Sequence, residues 1–143
     1  MDGGAWLWWA LLASLLWGVA PMFAKLGLER TGAEAAIFLR SAVISALSGV
    51  WLGASGKIGE LTSIGLKPIL AIAAEGVAAS LVGHFAYYKA LQLGAVSKAV
   101  PVSSTYPVVA MLVSAAVIGE KLSLGKVLGT ALIVAGVVLL RVF

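Results

Sequence analysis

Five runs of apolar residues follow one another along the 143-residue chain: Ala5 to Ala24, Ala33 to Leu52, Pro68 to Leu91, Ala95 to Ile118 and Leu124 to Val142. About 20 apolar residues, rising 1.5 Å each, match the roughly 30 Å hydrocarbon core of a bilayer. Each run is therefore long enough to cross once, and little of the chain is left outside them. Water is a poor solvent for such a sequence. Apolar residues make up 62% and charged residues 11% of it, and the mean hydropathy is +1.08. A soluble domain of this size buries only about two-thirds of its unfolded surface, so much of this apolar area would stay wet. The expected fold is an all-α membrane bundle of five transmembrane helices, forming a single domain over residues 1–143.

Charged or turn-forming residues punctuate the runs where backbone meets water. Lys25 to Thr31 forms the first break and Gly53 to Lys67 the second, Gly94 is a helix stop in the third, and Gly119-Glu120-Lys121 makes the fourth. The first run is not expected to be a cleaved leader, because Asp2 stands where basic residues would be and the run outlasts a usual signal core. Trp6, Trp8, Trp9 and Trp51 sit where interfacial aromatic anchors belong.

Several function classes drop out. With no Cys and a single His there is no thiol chemistry, disulfide or histidine metal cluster. No phosphate-cradling loop and no nucleophile paired with a base is present, so neither an enzyme nor a cofactor is expected. The pI of about 9.6 arises from Lys and Arg at helix ends, which suits membrane lipid headgroups and not nucleic acid.

Five spans put the two termini on opposite faces. One face then holds Lys57, Lys67, Lys121 and Lys126; the other holds Lys25, Arg30, Lys89, Lys98 and Arg141, with Arg40 near its edge. Orientation follows an excess of Lys and Arg in cytoplasmic loops, and here the excess is small. Two readings compete: the chain inserts both ways and pairs head to tail with itself, or it inserts one way.

Ionisable groups within the spans are the candidates for function, since a charge at mid-bilayer costs roughly 2.5 to 3.5 kcal/mol on insertion scales. Glu75 lies roughly 12 Å into the third span at the helical rise. It is either a proton or cation site facing a cavity or a protonated carboxyl packed between helices. Arg40, about seven residues into the second span, either snorkels structurally or takes part in function. His84, Tyr87 and Tyr88 share a face with Ser80, roughly opposite Glu75 at α-helical spacing. They line a cavity, or His84 donates to a backbone carbonyl.

In the fourth span Pro101 and Pro107 withhold two backbone donors, and Ser103, Ser104, Thr105 and Tyr106 add hydroxyls. This segment is either a broken, cavity-lining stretch or a kinked helix whose hydroxyls bond back to its own carbonyls. Trp17 and Pro21 mark a lesser break in the first span. Gly125 and Gly129 form a GxxxG pair on the last run, with Gly136 further on, and are expected to pack against another helix, as are Gly76 and Gly83.

Trp17-Gly18, Phe38-Leu39-Arg40, Tyr88 to Ala95 (YKALQLGA), Pro101 to Pro107 (PVSSTYP), Gly119-Glu120-Lys121-Leu122 and Gly129 with Gly136 together resemble the EamA-type domain of the drug/metabolite transporter superfamily. Members of that family usually carry two such five-helix halves, inverted with respect to each other, and move small metabolites. The resemblance implies that a second copy supplies the missing half: an antiparallel homodimer, or a sister half-transporter. Inverted halves with substrate near the midplane are a general transporter plan. In an inverted pair, Arg40 of one copy and Glu75 of the other stand at similar depth, so a contact between them is expected.

The resulting expectation is a secondary transporter working by alternating access, multi-pass in the plasma (inner) membrane of a prokaryote. Its cavity would be lined by the first, third and fourth spans, and its small-molecule substrate would be amino acid-like or a lipophilic cation. The competing class is a non-transporting accessory or scaffold subunit.

Overall fold

The computed structural model describes residues 4–142, without the side chains of Arg141 and Val142; Asp2 lies outside the described residues. Among the described residues there are helices and turns and no strand. We label the helices α1 (Ala5–Leu28), α2 (Ala33–Ala54), the short α3 (Glu60–Ser63), α4 (Leu66–Leu93), α5 (Val96–Ile118) and α6 (Leu124–Val142). α1, α2, α4 and α5 are each long and apolar enough to cross a bilayer. α6 has 19 residues, roughly 28 Å at the helical rise, which still spans a core of about 30 Å with little tilt. The protein is an integral, multi-pass membrane protein.

The observed ends refine the expected ones in physically sensible ways. α4 starts two residues before Pro68, which therefore falls in the first helical turn, where its missing N–H would have had no partner. The break at Gly94 is real: α4 stops at Leu93 and an extended Ala95 starts α5. α5 ends at Gly119, whose φ of +75° is the left-handed conformation that closes helices and that costs a side-chain-bearing residue.

Two stretches depart from regular α-helix. Residues Gly76–Gly83 of α4 and Ser114–Ile118 of α5 are π-helical. Gly83 suits the first of these, since a Cβ there would lie 3.1 Å from the carbonyl oxygen of Ala78, five residues back.

The chain divides into two compact units, Met1–Leu93 and Gly94–Phe143. In the first, the end of α4 packs on both α1 and α2. Its buried side chains are Pro21, Leu28, Ala33, Ile37, Tyr88 and Leu91, all near the end where α1 passes into α2 and α4 terminates. In the second unit α5 packs on α6, where Thr130 Oγ1 donates to Met111 Sδ at 3.7 Å.

Candidate functional site

The last four carbonyls of any helix lack intrahelical donors, and at the end of α4 the first unit supplies them from elsewhere in the chain. Lys25, in the last turn of α1, donates its ammonium to the Leu91 carbonyl at 2.5 Å. Gln92 Nε2 reaches back to the carbonyl of Thr31 in the α1–α2 turn at 3.1 Å. Lys89 Nζ lies 3.5 Å from Glu34 Oε1, at the start of α2, and 5.4 Å from the centre of the Phe85 ring. Three polar ties thus fasten α4 to α1 and α2, directly over the buried cluster. Beside them, between α2 and α4, is a hollow of about 280 Å³ lined by Glu34, Ile37, Leu81, Val82 and Phe85.

The sequence candidates of this unit fall into separate places. Tyr88 is buried in the cluster, a packing position. His84 stands edge-on to Tyr87 and Tyr88, with ring centres 6.3 and 5.9 Å away. Its Nδ1 is 3.1 Å from the Ala79 carbonyl, to which the Nδ1–H tautomer donates. The expected opposition of this group to Glu75 rested on α-helical phase. That phase does not carry through Gly76–Gly83, because a π-helix turns through less angle per residue than an α-helix.

Glu75 is exposed and Arg40 half-buried on their spans. Among the described residues neither is held by an ion pair or a hydrogen bond. Trp17 is exposed. Pro21 is buried, and α1 runs through it unbroken. Gly76 has no neighbour within 4 Å of where a Cβ would be, and Gly83 meets only its own chain at Ala78, so neither brings another helix close.

In the second unit the polar run of α5 turns inward on its own backbone. Ser103 Oγ donates to the Ala99 carbonyl at 2.6 Å, Ser104 Oγ to that of Val100 at 2.8 Å, and Thr105 Oγ1 to that of Val102 at 2.8 Å. The helix breaks at Ser104 and Thr105, between the prolines and not at either. Pro101 lies inside the segment Val96–Ser103, and Pro107 occupies the first turn of the restarted helix, where proline is favoured. Tyr106 is exposed. A hollow of about 350 Å³ between α5 and α6 is lined by Lys98, Pro101, Val102, Val137 and Leu140, so of the α5 candidates only Pro101 borders it. Gly129 and Gly136 have nothing within 4 Å of a built Cβ, and Gly125 meets only the nearby Ser123 hydroxyl at 4.0 Å. The GxxxG surface is open within this unit.

At the α5–α6 turn, Glu120 accepts a hydrogen bond from Ser114 Oγ and one from Lys126 Nζ, the latter at 2.5 Å. These bonds, that of Lys126 first, then that of Ser114, and then the lysine's charge, hold the Glu120 carboxyl below its ordinary range.

Some of the residues that give the sequence its resemblance tie helix ends: Lys89 and Gln92 on α4, and Gly119 with Glu120 after α5. Residues 4–142 match the EamA-like transporter family. The chain belongs to that family. It is 31% identical over 139 residues to a Sinorhizobium protein described as an uncharacterized transporter in the cobO 3′ region, an alignment covering 97% of this chain and 98% of that one. That relative is therefore about as long as this chain. No solved structure matches the chain.

Family membership makes this a transporter-type membrane protein of the drug/metabolite superfamily. In the sequence Lys25 and Lys89 stand out only as loop charges, with Lys89 and Gln92 also part of a motif, and Glu34 and Phe85 carry no signal. Lys25 carried a signal, a cation in the last turn of the first span, but the carbonyl it caps lies on another helix. Glu34 likewise meets Lys89 only in the folded chain.

Proposed function

We propose that the chain is half of a secondary transporter and works as two oppositely inserted copies that move a small metabolite or lipophilic cation across a prokaryotic plasma membrane. The observation that carries this reading is the pair of charges, Glu75 and Arg40, left without a partner on membrane-spanning helices. Each costs roughly 2.5 to 3.5 kcal/mol at mid-bilayer. Counting from the observed helix starts, Leu66 and Ala33, Glu75 lies roughly 14 Å and Arg40 roughly 10 Å from opposite faces. Inverting one copy brings its Arg40 to within an arginine's reach of the level of the other's Glu75. The near-balanced Lys and Arg distribution supports insertion in both orientations, and the length of the Sinorhizobium relative supports a one-unit chain.

The test is flux into proteoliposomes of a panel of labelled amino acids and alkylammonium ions. Glu75→Arg and Arg40→Glu singly abolish flux, and the double exchange restores it. No rescue by the exchange, together with tags at both termini found on one side only, refutes the paired-copy reading.

A further inference from the structure

Lys89 shows how the first unit holds a cation. Its ammonium is 3.5 Å from a carboxylate oxygen of Glu34 and 5.4 Å from the centre of the Phe85 ring. A carboxylate on one side and an aromatic face on the other are the two groups that recognise an organic ammonium. Glu34 and Phe85 also belong to the wall of the adjoining hollow, whose remaining lining is aliphatic: Ile37, Leu81 and Val82. At about 280 Å³ it lies just below the range of sites for drug-sized ligands, about 300–1,000 Å³, and suits a smaller molecule. Leu81 and Val82 are presented by the π-helical stretch of α4, a distortion that is frequent at functional sites.

We propose that this hollow binds a small organic cation with an apolar body, an arylalkyl- or alkylammonium, whose charged nitrogen takes the place of the Lys89 ammonium between Glu34 and Phe85. Lys89 is a weak occupant. The side chains of the pair are 43% and 68% exposed, and such surface pairs contribute little. A ligand brings the same charge and adds apolar contacts that a lysine anchored on α4 does not make. Since Glu34 serves either Lys89 or the ligand, binding releases one of the three ties at the end of α4. The assignment names a substrate class for the transporter reading and rests on it for its physiological sense, while the site itself is tested without transport.

The probe is radiolabelled benzyltrimethylammonium, bound to the full chain in nanodiscs of zwitterionic lipid, with empty nanodiscs as the blank. Lys89→Gln removes the internal competitor and tightens binding by about three-fold or more. Glu34→Gln weakens it by about ten-fold and Phe85→Leu by about five-fold. Benzenesulfonate, of the opposite charge, does not compete. A variant that fails to fold cannot bind more tightly, so the gain in Lys89→Gln is the decisive arm. The proposal is overturned if Lys89→Gln leaves affinity unchanged or lowers it, or if neither the native chain nor Lys89→Gln binds above the blank; Glu34 and Lys89 are then an ion pair and nothing more. Binding as expected with no flux of any solute sinks the transporter reading and leaves the site standing. Flux that is indifferent to Glu34→Gln, with binding equally unchanged, sinks the site alone.

Discussion

Lys25→Met tests the tie between α1 and α4 while keeping most of the side chain's apolar stem. The Leu91 carbonyl that accepts from Lys25 at 2.5 Å belongs to the last turn of α4 and has no intrahelical donor. Leu91 has no exposed surface, so water does not replace the lost ammonium. Stranding a buried acceptor costs about 1–3 kcal/mol, and removing a cation from a helix C-terminus adds about 0.3–1 kcal/mol. Because the carbonyl is fully covered, the upper part applies, and the expected loss is about 2–3 kcal/mol. The assay is unfolding in mixed micelles with rising dodecyl sulfate fraction, followed by circular dichroism. Lys57→Met is the control: its partner Glu60 is 3.7 Å away with both side chains largely exposed, a pair worth less than about 1 kcal/mol. Lys25→Arg, which can still donate, falls between the native chain and Lys25→Met. If Lys25→Met costs no more than Lys57→Met, α1 does not hold the end of α4 and the tie is not a feature of the folded chain.

Other perturbations probe the remaining elements. Gly119→Ala forces a side chain into a left-handed φ of +75° and costs about 1–2 kcal/mol in the same titration; no loss would mean that α5 does not end in this turn. Glu120 has its carboxyl below the ordinary value of 4.5, so its contribution is present above that value and is lost as pH falls through the lower folded value. Stability therefore declines on the acid side of pH 4.5, and Glu120→Gln flattens that part of the profile; an unchanged profile refutes the contact with Lys126 and Ser114. Leu91→Ala removes three carbons from a side chain with no exposed surface. In a soluble core this costs about 2–5 kcal/mol, of which about 0.8 kcal/mol per carbon is transfer from water. In lipid that transfer part is absent, leaving at most about 2.5 kcal/mol; Leu93→Ala, at an exposed position, serves as the control with no loss.

What the sequence shows well is whatever one helix decides alone. The five runs, the stop at Gly94 and the turn at Gly119 follow from hydropathy and from what glycine permits, and the observed helices begin and end within four residues of the expected bounds. What it shows poorly depends on hydrogen-bond register or on a second helix. Pro101 and Pro107 read as breaks because each withholds a donor. The chain instead breaks between them, where the hydroxyls of Ser103, Ser104 and Thr105 compete with backbone N–H groups for the carbonyls of Ala99, Val100 and Val102. His84 and Glu75 read as opposite because the count assumed α-helix, and nothing in Gly76-Val77-Ala78-Ala79-Ser80 announces a π-helix beyond its small residues. The tie of Lys25 to Leu91 was invisible for a simpler reason. Both residues look ordinary until α1 and α4 are set side by side.

Bare apolar helices are a poor argument for a partner in a membrane, because lipid covers Leu and Val as well as another helix does. Unpaired charges are a better one. Two such charges at the bilayer centre cost roughly 5–7 kcal/mol, an upper bound here because Arg40 lies nearer a face, yet still comparable with the whole stability of an ordinary domain, about 5–15 kcal/mol. Two inverted copies would be related by a two-fold axis in the membrane plane. In such an arrangement each contact is made twice, residue i with j and j with i. One Arg40–Glu75 contact therefore entails a second, and both charges on both chains are answered at once. A one-way, unpaired chain answers none of them. That asymmetry is why the proposed pairing is consistent both with the charge balance of the loops and with the two lone charges in the spans.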